Sequence, residues 1–320
     1  MKKKRTEIKD KIRTAEEITP RLKRSMENCD LCVRKCGVNR LEGEKGFCSS
    51  GAKPLVYSAR AHHGEEPPLS GWNGSGTIFF SRCSMRCVYC QNYQFSQADS
   101  GKKVSARELA DIMLKLKDAG CHNINLVTPT HQAPAIVEAL GYAHSDGLDI
   151  PIVYNTGGYD SLHVIQALRG LIDIYLPDMR YSSDEMAEKY SQAPGYVANN
   201  RAILKEMHRQ SGRLELSHGI AIKGLIIRLL IMPGGISGTE KTLEFISESL
   251  GRDTYLSVMS QYYPAYKASG YKELAGRINR DEYESVMERM RKLDLREGWV
   301  QPFEGEFDAR FAGENFPPDM

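Results

Sequence analysis

The sequence predicts an α/β fold, a partial (βα)6 TIM-like barrel behind a small Cys-rich N-terminal module. Three observations predict it. From Gly76 onward, short β-branched or aromatic runs alternate with amphipathic segments, the pattern of repeated βα units around a parallel sheet. Residues 28–75 instead are rich in Cys, Gly, Pro and Ser and show little periodicity. Finally, 320 residues with 41% hydrophobic and 26% charged side chains hold enough apolar surface to offset ordering entropy, which excludes global disorder.

Residues 1–27 read as a charged, partly helical tail, with Lys2 to Arg5 solvated, and 28–75 as a loop-dominated metal-binding module. The core spans 76–295. Its first strand is Thr77 to Ser81, followed by a cysteine-bearing loop. A helix opens at Ser105 with Glu108 three residues on, a capping box, and places Leu109, Ile112, Met113 and Leu116 on one face before Gly120. Strands follow at Asn123 to Thr128 and Ile150 to Tyr154, separated by a helix from about Pro134. After a helix over Leu162 to Leu168 come strands at Ile172 to Leu176 and Leu225 to Ile231. A helix from Lys241 to Leu250 leads to the sixth strand, Tyr255 to Met259. An amphipathic helix over Asp281 to Leu293 ends the core, and 296–320 form a tail.

The net charge of +2 divides into +6 over residues 1–24 and −4 over the remainder, so no basic surface for nucleic acid is indicated. The longest apolar stretch, Gly224 to Ile236, is interrupted by Arg228 and Pro233-Gly234-Gly235 and falls short of the roughly 20 residues that span a bilayer. Thr6 to Arg24 supplies no apolar run behind the basic N-terminus, so the chain reads as cytoplasmic, without membrane association. In a reducing compartment, clustered cysteines point to metal ligands or catalysis more than to disulfides.

Seven of the eight cysteines fall into two groups. Cys83, Cys87 and Cys90, spaced C-x3-C-x2-C, follow the first strand directly, where ligands bind in parallel α/β folds. Thiolates on one tight loop suit an iron–sulfur cluster, and three of them leave one iron of a four-iron cubane open to an exogenous ligand. Cys29, Cys32, Cys36 and Cys48 form the second group, which suits a closed four-coordinate site holding zinc or an auxiliary iron–sulfur cluster. The remaining Cys121 lies among apolar neighbours and reads as an inert buried thiol.

With Tyr89 before its last cysteine, the C-x3-C-x-aromatic-C motif resembles that of the radical SAM superfamily, and over residues 28 to about 295 the chain is similar to pyruvate formate-lyase activating enzyme-like proteins. The resemblance implies a 4Fe-4S cluster on Cys83, Cys87 and Cys90, its open iron chelated by S-adenosylmethionine, with Tyr89 near the adenine. Asp178-Met179-Arg180 matches an Asp-Leu-Lys element that meets the ribose and methionine carboxylate, and Arg228 matches an arginine near the cofactor. Where that family has Gly-Gly-Glu this chain has Thr128-Pro129-Thr130-His131, so Thr128 and Thr130 are candidates for the methionine amino group. In place of its ribose-binding histidine stand Gln261 and Tyr262, and Asn155 beside Gly157-Gly158 completes the candidate cofactor residues.

The implied activity is that of an oxidoreductase, reductive cleavage of S-adenosylmethionine to a 5′-deoxyadenosyl radical that abstracts hydrogen. The implied partners are an electron donor such as flavodoxin or ferredoxin and, as substrate, a glycyl radical enzyme. A small molecule or another protein is the alternative substrate, and a non-catalytic zinc-binding interaction protein is the alternative from another class. His62-His63-Gly64-Glu65-Glu66-Pro67-Pro68, between the two cysteine groups, reads as a solvated loop with a weaker case for proton transfer or cluster contact.

Overall fold

The computed structural model describes residues 2–303. In chain order its strands are β1 (Leu55–His62), β2 (Ser75–Phe80), β3 (Lys102–Lys103), β4 (Ile124–Val127), β5 (Ile152–Thr156), β6 (Ile174–Pro177), β7 (Glu215–Ser217), β8 (Ile220–Leu230), β9 (Tyr255–Met259) and β10 (Gly298–Val300). Its helices are α1 (Lys2–Arg24), α2 (Pro67–Ser70), α3 (Tyr93–Ser96), α4 (Ala106–Asp118), α5 (Ala133–Ser145), α6 (Leu162–Ala167), α7 (Asp184–Ser191), α8 (Tyr196–Ser211), α9 (Thr239–Ser249) and α10 (Arg280–Lys292). The sheet runs β10-β9-β8-β6-β5-β4-β2-β1-β3 and pairs in parallel from β10 to β2. Antiparallel β1 and β3 close one edge, and among the described residues no pairing joins β3 to β10, so the barrel is partial.

The six expected core strands are present as β2, β4, β5, β6, β8 and β9, and Ser105 and Glu108 form the expected capping box of α4. Register assigns their faces, because paired residues share one side of a sheet. Asn125 pairs with Thr77 and Val153, Asn155 with Val127 and Leu176, and Ser257 with Arg228. Val153, Ile174, Leu176 and Ile226 pack with Leu69 of α2 in one apolar cluster on that interior face. Thus α2 fills one end of the barrel, held there by Asn123, whose Nδ2 donates to the Leu69 carbonyl at 2.9 Å. The opposite face, with Ile124, Leu126 and Ile152, packs in the main core with Leu140 of α5 and Leu109 of α4.

Several elements depart from the sequence reading. Residues 1–27, expected as a charged, partly helical tail, hold the 23-residue α1, which packs on α5. Its stripe of Ile8, Ile12, Ala15, Ile18 and Leu22 has helical spacing but is submerged in charge, and Ala15 and Leu22 are fully buried. Lys11 and Lys23 anchor it to Asp173 at 2.6 Å and Glu138 at 2.8 Å. Truncating Leu22 to Ala is expected to lower unfolding stability by about 3 kcal/mol in a denaturant titration, the cost of a buried leucine; a loss below about 1 kcal/mol would mean that α1 is not docked. Within the segment expected to be loop-dominated lies β1, eight residues long, and β10 lies in the expected C-terminal tail. Gly298 permits the β10 pairing: its φ is +131°, and a Cβ there would stand 2.0 Å from the Leu256 carbonyl oxygen. Helices α7 and α8, for which the sequence reading had no assignment, flank the sheet after β6.

Candidate active site at the carboxyl ends of the strands

Backbone strain marks where the parallel strands end. Arg82 after β2 and Thr128 after β4 adopt φ of +70° and +60°, a region that a β-branched threonine rarely occupies and that collects at functional sites. Beyond Arg82, the loop from Cys83 to Cys90 is fastened on two sides. Arg86 and Val88 donate their N–H groups to the carbonyls of Ser191 and Tyr190, both at 2.9 Å, and Val88 accepts from Lys267 N–H at 2.8 Å.

Each sulfur has a polar neighbour. Met85 N–H donates to Cys83 Sγ at 3.4 Å, Ser191 Oγ donates to Cys87 Sγ at 3.0 Å, and Cys90 Sγ lies 3.1 Å from Ser96 Oγ. Burial and then the Cys87 charge push the Cys83 thiol up to about 12 and Cys90 up to about 11, while Arg180 pulls both down. Three thiols this close and desolvated need added positive charge to ionise, and a metal cluster supplies it. The loop therefore fits such a group. Among the described residues no three His, Cys, Asp or Glu side chains converge to the spacing of a single ion.

Tyr89 is buried, and its hydroxyl begins a chain to the cysteines: Tyr89 to Tyr181 and Tyr181 to Ser191, both at 2.7 Å, then Ser191 to Cys87. Asp178, on the same row as Arg228, is the hub of the charged residues. Its carboxylate accepts from Arg180 on one oxygen and from Arg228 Nε at 2.8 Å on the other, while Arg228 also donates to Asn155 Oδ1 at 2.7 Å. Burial works against the Arg180 charge, but Asp178 and then Cys87 outweigh it and hold the group protonated. Arg180 is thus the link between the carboxylate hub and the thiols.

Asn155, Asp178, Arg180 and Arg228 therefore come together, with Tyr89 tied to the cysteine loop. Other sequence candidates are engaged elsewhere. Thr130 Oγ1 lies 3.3 Å from Thr156 Oγ1, in a buried network with Asp160 and Tyr154 on the other side of β5. Gln261 accepts from Gln301 at 2.8 Å, and Tyr262 donates its hydroxyl to the Leu274 carbonyl at 2.8 Å with its ring 6.0 Å from Tyr89. Thr128 sits at the strained turn after β4.

Two residues were underweighted in the sequence. Glu66 is 4% exposed and Glu65 half-buried, and both stand close enough to raise the Arg228 charge. Burial above all pushes both carboxyls up, and Arg228 opposes it. The run of two histidines and two acids read as solvated because the group it meets lies some 160 residues away; Pro67-Pro68, which opens α2 and turns the loop inward, was the available signal.

In the second cysteine group, Cys29, Cys32 and Cys48 are buried and Cys36 is half-buried. Burial pushes the Cys32 thiol up to about 12, with Cys48, Cys36 and Cys29 adding to the shift, so each of these three lies near Cys32. A Cβ on Gly46 would stand 2.8 Å from Cys36 Sγ. This module docks on the first cysteine loop: Arg34 donates to the Ser84 carbonyl at 2.7 Å and lies 3.2 Å over the Phe47 ring, whose own carbonyl accepts from Arg86 at 2.7 Å.

A parallel partial barrel with three thiols at its strand ends defines a class of cluster-bearing enzyme. The Radical SAM superfamily model matches residues 77–213. An uncharacterized protein of Methanocaldococcus jannaschii is 32% identical over 287 residues, covering 85% of this chain and 77% of that protein. The chain belongs to the radical SAM superfamily, whose members use a 4Fe-4S cluster and S-adenosylmethionine. Among solved structures, Streptococcus suis SuiB bound to precursor peptide SuiA is 11% identical with a TM-score of 0.48, covering 69% of this chain and 47% of its own. Methylornithine synthase is 17% identical with a TM-score of 0.47, covering 69% and 63%. The chain thus spans between about half and two thirds of the length of these proteins. Among the described residues no helix is long and apolar enough to cross a membrane.

Proposed function

We propose that Cys83, Cys87 and Cys90 hold the cluster, that Asn155, Asp178, Arg180 and Arg228 hold S-adenosylmethionine beside it, and that the enzyme abstracts hydrogen from a substrate in the barrel. The observation that carries this reading is Arg180, which bonds Asp178 while its charge acts on the thiols of the cysteine loop. When bound, cluster and cofactor supply a 5′-deoxyadenosyl radical. The chain's own residues orient and shield: Asp178 and the two arginines offer charge-assisted hydrogen bonds to an amino acid carboxylate and ribose hydroxyls. Tyr89 and Tyr262 form an aromatic wall next to the cysteine loop, and α2 with Leu69 closes the far end against water. An electron donor such as flavodoxin or ferredoxin completes the system. Activation of a glycyl radical enzyme rests on the resemblance of Asp178-Met179-Arg180 and Arg228 to that group of activases; a glycyl radical signal in a co-purified partner is its test.

For the four-thiol group we propose a closed metal, zinc or an auxiliary cluster, on the strength of the cysteine spacing in the sequence. Reconstituted anaerobically and reduced with dithionite, the chain is expected to release 5′-deoxyadenosine, and Cys87→Ala to abolish that release and remove about four irons per chain, the content of one cubane. Zinc without iron or sulfide in anaerobically purified protein would leave only the interaction-protein alternative.

A further inference from the structure

Away from the cofactor residues, a cavity of about 370 Å³ opens between the four-thiol module and the edge of the barrel. Its wall is basic: Arg40, Lys45 and Lys53 come from the module, Arg82 and Lys103 from the barrel, against one acid, Asp99. Neither Tyr89 nor any member of the Asp178 hub lines it. Three lining side chains are more than nine-tenths buried and carry polar atoms that the protein leaves unmet. Ser50 is 2% exposed, Gln132 1% and Arg82 8%. The Ser50 hydroxyl, both amide atoms of Gln132 and Arg82 Nε have no hydrogen-bond partner among the described residues. Buried polar groups are normally bonded, so four such atoms around one cavity point to a ligand that bonds them.

The charge of the wall selects the ligand. Arg82 pairs with Asp99 at 2.5 Å, and its hydrogen bond and charge, then Lys45 and Lys103, hold the Asp99 carboxyl below its ordinary range. Those three cations therefore gather about a single acid. Arg40 is buried, donates to the Gly51 carbonyl at 2.6 Å and lies 3.9 Å from Cys29 Sγ. Among the described residues no carboxylate forms an ion pair with Arg40, Lys45, Lys53 or Lys103. Five cations to one acid suit a dianion better than a carboxylate, and the Ser50 hydroxyl, Arg82 Nε–H and Gln132 Nε2–H can serve several of its oxygens. Gln132 Oε1 only accepts, so the ligand also brings a donor of its own. The volume is that of a small-molecule site.

We propose that this cavity binds a small molecule carrying a phosphate monoester and a hydroxyl group. Arg82 lies directly before Cys83 and Arg40 reaches the sulfur of Cys29, so the bound phosphate bridges the four-thiol module and the first cysteine loop. The site shares no residue with the one assigned to S-adenosylmethionine, and the two are tested separately.

Ligand-observed NMR titrations of the reconstituted chain, in about 0.15 M chloride to screen exposed lysines, test it with glycerol 3-phosphate, glycerate and glycerol. Glycerol 3-phosphate is expected to bind at least about tenfold tighter than glycerate, glycerol not to bind, and the preference to persist when S-adenosylmethionine is saturating. Gln132→Met, similar in shape and without polar atoms, removes two unmet groups. The ligand-free variant is expected to unfold at the same denaturant concentration as the parent or a higher one, while its affinity for glycerol 3-phosphate falls at least about fivefold. Ser50→Ala is expected to act likewise on a smaller scale, and Lys53→Gln, on the exposed rim, to weaken binding severalfold with the circular dichroism spectrum unchanged. Equal affinity for glycerate and glycerol 3-phosphate would overturn the proposal. So would weakening by Lys53→Gln with none by Gln132→Met or Ser50→Ala, the mark of exposed charge alone, or destabilisation by Gln132→Met, since the amide would then already be bonded. Failure of glycerol 3-phosphate to bind, with flavodoxin binding weakened by Lys53→Gln, would instead make this face a protein dock.

Discussion

Asp178→Asn is expected to cost about 3–5 kcal/mol of unfolding free energy and, in whatever fraction remains folded, to abolish S-adenosylmethionine binding. The magnitude follows from leaving two guanidiniums without the carboxylate they share. Arg228 and Arg180 keep only 19% and 27% of their side-chain surface, and Asp178 keeps 9%. A carboxamide keeps the shape but not the charge, and breaking a buried ion pair on one side costs about 3–5 kcal/mol because the remaining charge is uncompensated. Against a total stability of about 5–15 kcal/mol, that is enough to unfold a substantial fraction of the protein at moderate temperature. Chemical denaturation reads the first effect and equilibrium binding the second. Adding Arg228→Gln to Asp178→Asn is expected to recover part of the stability but none of the binding, since it removes one orphan charge together with a cofactor group. A single variant within about 1 kcal/mol of the parent would show that water, not Asp178, compensates the arginines.

What was legible in the sequence was local. The core strands announced themselves because β-branched runs are bounded by Gly, Pro and polar residues, and α4 because Ser105 and Glu108 are three residues apart. The thiols and Asp178-Met179-Arg180 were legible for the same reason, each being a short motif at a strand end. Hidden features depend on partners distant along the chain. The apolar stripe of α1 gains meaning only against α5, more than 100 residues on. Glu65 and Glu66 read as solvated until the fold brings Arg228 beside them. Thr130, Gln261 and Tyr262 were named for their chemistry at strand ends, and the fold sets their polar groups against Thr156, Gln301 and the Leu274 carbonyl, partners that local spacing could not foretell.

Gly157-Gly158 after β5 can serve as a simple turn or as a place of close backbone approach, and the two glycines are expected to separate these roles when each is changed to Ala. Gly158 has φ +76°, and a Cβ there would stand 2.1 Å from Asn200 Nδ2, 2.5 Å from the Asp178 carbonyl oxygen and 3.1 Å from the Tyr196 hydroxyl. Those atoms form the support under the charged hub. Asn200 Nδ2 donates to the Asp178 carbonyl at 3.0 Å, and the Tyr196 hydroxyl accepts from Arg180 N–H at 3.1 Å. Gly158→Ala must pay about 1–2 kcal/mol for the left-handed conformation and a further 1–3 kcal/mol for overpacking, and it pushes on the backbone that aims Asp178 and Arg180. A loss of about 3 kcal/mol or more is expected, with cofactor affinity falling in step. Gly157 has no positive φ, and its Cβ would meet only the Met85 sulfur at 3.2 Å and the Arg180 side chain beyond, both ends of flexible chains. Gly157→Ala is therefore expected to cost about 1 kcal/mol or less, the adjustment of a repacked thioether. Equal losses from the two substitutions, measured by denaturant unfolding, would return the pair to a simple turn and remove the support assigned to Asn200 and Tyr196.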